Sequence, residues 1–123
     1  MVGEVKRSVR VAERVRQEIA TVLDRDVEDP RLRRVVITRV EVSDDLQHAR
    51  VLVRLSHDDS PEQRKNALRG LKGASAMLRR KLGAKLELRR TPELKFVFDD
   101  GQDAQTRVEA LLAEIASGKT RQD

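Results

Sequence analysis

The sequence predicts an α+β sandwich, a small mixed sheet with its helices gathered on one face. Three observations carry that prediction. The chain opens on an amphipathic helical pattern, continues with two alternating runs joined by a polar turn, and then places a long helical pattern before a third extended run. The 123 residues suit one domain. Residues 1–118 are read as that domain and residues 119–123 as a polar tail.

The first helix is expected from Ser8 to Val27. Val11, Val15, Ile19, Val22 and Leu23 recur on one helical face, and Asp29-Pro30 ends the pattern because the residue before proline is driven out of the helical region. The first strand is expected over Val35–Val42, with Val36, Thr38, Val40 and Val42 on one face and Ile37, Arg39 and Glu41 on the other. Ser43-Asp44-Asp45 then supplies the short polar side chains that bond nearby backbone in turns. A second strand, Ala49–Leu55, turns Val51, Val53 and Leu55 inward and pairs with the first as an antiparallel hairpin.

Ser60-Pro61-Glu62-Gln63 has the form of a helix start, with a capping hydroxyl, proline at the first helical position and Gln three residues after the cap. The second helix is expected to reach Gly83 and to break near residues 70–76, where Gly70 and Gly73 each cost about 1 kcal/mol relative to Ala. Residues 85–98 read as extended, with Pro92 at a bulge or an edge. A short helix bearing Val108, Leu111, Leu112 and Ile115, closed by Gly118, ends the pattern.

Composition excludes several functions. There is no cysteine, hence no disulfide scaffold, thiolate metal site or thiol catalyst. Neither a signal peptide nor an apolar run of membrane-spanning length occurs, so the expectation is a soluble, cytoplasmic protein. His48 and His57 stand apart, no cluster has metal-ligand spacing, and no glycine-rich phosphate loop is found; neither a metal, a cofactor nor a catalytic residue is expected. Asp44-Asp45, Asp58-Asp59 and Asp99-Asp100 could hold magnesium for phosphodiester cleavage, but each lies at an expected turn, and adjacent carboxylates on an extended chain point to opposite sides.

Charge is the informative quantity. The formal net charge is +5, yet Arg64 to Arg90 holds ten basic residues against the single acid Glu87, so this segment carries +9 and the remainder −4. On a helical wheel Lys65, Arg69, Lys72, Arg79 and Arg80 form one stripe, with the small residues Ala76 and Gly83 inside it; Ala67, Leu71, Ala74, Leu78 and Leu82 form the opposite, core-facing stripe. A merely solvated helix face would carry acids four residues from its cations, and here they are missing. Together with Lys81, Lys85, Arg89 and Arg90, the stripe has the electrostatic footprint of a nucleic-acid binder. Phe96 and Phe98 are the only aromatics, so platforms for stacking unpaired bases are lacking and contact through phosphate and shape is favoured. A basic adaptor for an acidic protein is the alternative, and steep salt dependence distinguishes the two.

Nearly the whole chain, from Arg7 to Ile115, resembles the bacterial ribosome-binding factor A family. The resemblance rests on Arg7 and Arg10-Val11-Ala12, Asp29-Pro30-Arg31-Leu32, Val42-Ser43, Asp45-Leu46 and Ala49 to Val53. It continues through Leu78-Arg79, Leu82-Gly83, Leu88-Arg89, Pro92-Glu93-Leu94, Phe96 and Asp99, in that order and spacing. It implies a type II KH-like domain in which a kink between two helices replaces the usual glycine-rich RNA loop. The kink matches Ala74-Ser75-Ala76, where the family commonly has glycine in place of Ala76; a shallower kink is expected because a left-handed backbone is disfavoured for alanine. Gly101 likewise stands where members often carry Ser.

The resemblance further implies a non-enzymatic factor that binds the free small (30S) ribosomal subunit, assists late maturation of 16S rRNA and supports growth in the cold; a monomer is expected because the sequence shows no sustained heptad or apolar excess. Release by a GTPase assembly factor or an initiation factor is implied as well. On this reading, reversing Arg79, Arg80 and Lys81 to Glu is expected to abolish co-sedimentation with small subunits.

Overall fold

The computed structural model describes residues 6–100. Its elements are helix α1 (Arg7–Arg25), a 3-10 turn (Pro30–Leu32), strands β1 (Val35–Val42) and β2 (His48–Leu55), helix α2 (Pro61–Leu86) and strand β3 (Glu93–Phe98). The strands form one sheet in the order β1-β2-β3, with β1 antiparallel and β3 parallel to β2. This is the expected mixed sheet of an α+β, KH-like fold. The expected C-terminal helix around Val108–Ile115 and the polar tail lie outside the described residues.

Both helices pack on one sheet face, α1 chiefly on β1 and α2 on β3. The core between them joins Val11, Val15, Ile19 and Val22 of α1, Val51 and Val53 of β2, and Leu71, Leu78, Leu82 and Leu86 of α2. Each such side chain contributes about 1.5–3 kcal/mol of transfer free energy on burial.

The local signals hold at both turns. Ser60 Oγ accepts a bond from Gln63 N at 3.3 Å, capping α2 with Pro61 at its first position. In the hairpin turn, Asp45 Oδ1 accepts from Gln47 N at 3.0 Å and Ser43 Oγ accepts from His48 N at 3.0 Å. Asp29 behaves similarly before the 3-10 turn, accepting from Arg31 N at 2.9 Å while the Arg31 guanidinium forks onto its carboxylate. That fork holds the Asp29 carboxyl below the usual aspartate range.

Three expectations are corrected. In β1, a register shift between Ile37 and Arg39 leaves Thr38 without a partner. The one-residue bulge flips the alternation, so Val35 and Ile37 share the core face with Val40 and Val42, while Val36 pairs outward with Arg54. The bulged Thr38 hydroxyl donates to Asp99 Oδ2 at 2.7 Å, tying β1 to the end of β3.

Second, α2 is not interrupted at residues 70–76: helical structure passes through Ala74, Ser75 and Ala76 and ends at Leu86, not at Gly83. Leu71, Leu78 and Leu82, all 1% exposed or less, anchor both halves on one core, and that burial outweighs the two glycine penalties. Glu87, with φ 52°, takes the left-handed cap position. Third, the extended run begins only at Glu93, because Leu86 is buried as the last helical residue. Pro92 is fully buried just before β3, which is an edge strand.

The glycines of α2 differ in what they do. A Cβ at Gly70 would sit 2.9 Å from Leu32 Cδ2 and 3.3 Å from Asp29 Oδ2, so this glycine lets the 3-10 turn pack against the helix. A Cβ at Gly73 meets nothing within 4 Å. Gly73→Ala is therefore expected to stabilise the protein by about 0.5–1 kcal/mol, raising Tm by roughly 4 °C, through helix propensity alone. Gly70→Ala forfeits that gain against the buried Leu32 and is expected to lower stability by about 1 kcal/mol. Thermal unfolding of the two variants side by side checks both signs.

Candidate nucleic-acid interface

Helix α2 presents two unlike faces because its sequence alternates leucine and alanine with cations at helical spacing. Opposite the core stripe, Lys65, Arg69, Lys72 and Arg80 are all exposed, and none has an ion-pair partner among the described residues. Gly73 and Ala76 are exposed between them. With side chains this small between the cations, a polyanion can come close to the helix backbone. Four unpaired cations spread from residue 65 to residue 80 span about four helical turns, a length suited to successive phosphates rather than to a single small anion.

Two residues placed in the interface by sequence make contacts within the protein. Arg79 is half-buried and turns toward the sheet edge, where Nε donates to the Pro92 carbonyl and Nη2 to the Thr91 carbonyl, both at 3.2 Å. One turn later, a Cβ at Gly83 would meet Thr91 Oγ1 at 2.7 Å. Arg79 and Gly83 thus bind the strand-entry segment 91–92 down onto α2. Lys81 points the other way, its ammonium 3.3 Å from Asp26 at the end of α1. A helical wheel places Arg79 on the stripe by angle alone; the pull of two carbonyls without helical partners comes from a segment a dozen residues away.

Lys85, Arg89 and Arg90 are exposed beyond the end of the stripe. For the first-helix cations Lys6, Arg7, Arg10 and Arg14, sequence leaves RNA contact and simple solvation equally open. Arg14 Nη2 donates to the Lys85 carbonyl at 3.4 Å, and Arg7 lines a cleft with Arg89 and Arg90.

The acidic pairs are engaged in the scaffold. Asp59 and Asp100 both hold Arg64, at 2.6 and 3.0 Å, with the Arg64 guanidinium 4.7 Å above the Phe98 ring. Asp58 lies 3.4 Å from Arg34, Asp99 accepts from Thr38, and Asp44 lies 3.9 Å from Lys6. The Arg64 fork holds Asp59 below the usual carboxylate range. Among the described residues, no three His, Cys, Asp or Glu gather as a metal site.

Comparison with known proteins places this arrangement. The family profile described as ribosome-binding factor A matches residues 7–112. The chain belongs to the ribosome-binding factor A family. It is 46% identical to ribosome-binding factor A of Sorangium cellulosum, over 98% of this chain and 97% of that relative. Identity to the Gemmatimonas aurantiaca protein of that name is 43%, covering 98% and 82%.

Solved structures of the family share the fold. The solution structure of a putative ribosome-binding factor A from Thermotoga maritima superposes with a TM-score of 0.70 at 28% identity, over 82% of this chain and 94% of that one. A Thermus thermophilus homology model of the factor, fitted into a cryo-EM map of a 30S complex, gives a TM-score of 0.60 at 26% identity, over 72% and 91%.

Proposed function

We propose that this protein binds the free small ribosomal subunit and assists late maturation of its 16S rRNA by binding, without catalysing a reaction. The observation that carries the reading is the row of exposed, unpaired cations Lys65, Arg69, Lys72 and Arg80 on α2, in a member of a ribosome-binding family. A 30S complex of a Thermus thermophilus relative supports the same partner. The mechanism is a population shift: cations clamp phosphates of one rRNA conformation, and the equilibrium moves only by the difference in affinity between that conformation and its competitors. A surface without aromatic side chains among its cations suits folded RNA over unpaired bases. The factor acts as a monomer in the cytoplasm, and a GTPase assembly factor or an initiation factor releases it before translation.

Fractionating a lysate on a sucrose gradient tests this. The protein is expected in the free small-subunit fraction, depleted from translating ribosomes, and shifted to the top of the gradient as salt rises. Migration with translating ribosomes, or at the top of the gradient at low salt, overturns the reading.

A further inference from the structure

At the pole of the molecule beyond the α2 stripe, a cleft of about 620 Å³ opens between the start of α1, the hairpin turn and the segment that follows α2. Arg7 contributes from one side and Arg89 and Arg90 from the other. The three are brought together from sequence positions some eighty residues apart, by packing of α1 on α2 and by the Arg14 bond to the Lys85 carbonyl. All three are exposed, and none has an ion-pair or hydrogen-bond partner among the described residues.

Partners are not scarce nearby. Lys6, one residue from Arg7, lies 3.9 Å from Asp44. The acid lining the cleft is Asp45, whose Oδ1 is already occupied by the Ser43 hydroxyl at 2.7 Å and the Gln47 amide. The lining therefore carries three guanidiniums against one carboxylate that is turned into its own turn. Guanidiniums present rigid forks that match phosphate oxygens, where ammonium groups offer only point charge. The stripe is mixed, with Lys65 and Lys72 beside Arg69 and Arg80, whereas the cleft is lined by arginine alone among its cations.

We infer that this cleft is a second, separate phosphate-binding site, in which Arg7, Arg89 and Arg90 grip a phosphodiester segment of the RNA while the α2 stripe holds another. The inference rests on the small-subunit reading above and adds α1 to the interface. Two grips on different elements fix the orientation of the factor, because a single linear stripe leaves it free to slide along a backbone.

The test compares three full-length proteins: the unaltered chain, an Arg7→Ala/Arg89→Ala/Arg90→Ala variant, and a variant with the stripe cations Lys65, Arg69, Lys72 and Arg80 changed to Ala. Affinity for purified small subunits is measured across a series of salt concentrations, with thermal unfolding to verify the fold. The cleft variant is expected to lose about ten- to a hundredfold in affinity at about 150 mM salt, and its slope of log affinity against log salt is expected to fall by roughly two. Affinity and slope unchanged in the cleft variant but reduced in the stripe variant overturn the second site and leave the proposed function standing. Loss of affinity with an unchanged slope overturns the phosphate assignment, pointing to a protein surface on the subunit. Salt-insensitive binding by the unaltered chain overturns the cleft and the small-subunit reading together.

Discussion

Changing Lys65, Arg69, Lys72 and Arg80 together to Glu is expected to reduce affinity for small subunits by at least about a thousandfold, with no loss of fold. Removing four phosphate contacts flattens the salt dependence by roughly three in slope, and four new carboxylates add repulsion along the same line. All four side chains are exposed and unpaired among the described residues, so the expected stability change is within about 0.5 kcal/mol for each. Binding titrations at low and moderate salt, beside thermal unfolding, measure both. An affinity within tenfold of the unaltered protein would remove the stripe from the interface. The choice of residues matters. The reversal of Arg79, Arg80 and Lys81 that sequence suggests mixes three effects, because Arg79 holds the Thr91 and Pro92 carbonyls and Lys81 pairs with Asp26. A Glu at position 79 would place a carboxylate against two carbonyl oxygens and loosen β3, so lost binding could not be assigned to lost RNA contact.

What could be read from sequence follows from the range of the forces involved. The α2 start was legible because Ser60, Pro61 and Gln63 act on one another within a single turn. The stripe was legible because helical geometry alone carries Lys65, Arg69, Lys72 and Arg80 to one side. The β1 bulge was not, because Thr38 is held out of register by the Leu52 carbonyl and Asp99, which come from two other strands and their ends. Continuity of α2 is hidden from local propensity for a related reason. Gly70 and Gly73 read as breakers when only local propensity is weighed, yet Gly70 is there for Leu32 and Asp29. The cleft lined by Arg7, Arg89 and Arg90 was invisible beyond the resemblance, since no local pattern joins the first helix to the segment after the second. Its one signal in the chain is the pair Arg89-Arg90, at the end of a cationic segment whose single acid is Glu87.

Leu78→Ala separates folding from binding in the opposite sense. Leu78 is 0% exposed and lies in the core cluster with Leu71, Leu82 and Val51. Truncation there leaves a cavity between a helix and a sheet that are both held by other anchors, so collapse around it is incomplete; the expected loss is about 2–5 kcal/mol. For a domain of this size that lowers Tm by at least about 10 °C. Arg79→Ala, one residue on, is expected to cost less, about 1–2 kcal/mol, since it frees two carbonyls at a partly solvated strand entry rather than opening the core. Denaturant titration ranks the two, and a Leu78→Ala loss below 1 kcal/mol would contradict the packing of α2 described above. The binding consequence then depends on temperature. Well below its lowered Tm the Leu78→Ala protein still presents Lys65, Arg69, Lys72 and Arg80 in line, and its affinity for small subunits is expected to match that of the unaltered chain. Near that Tm, affinity falls with the folded fraction. The stripe reversal is expected to show the converse, lost affinity at every temperature with the protein still folded, because in α2 the side chains that hold the helix and the cations proposed to meet RNA lie on opposite faces of one element.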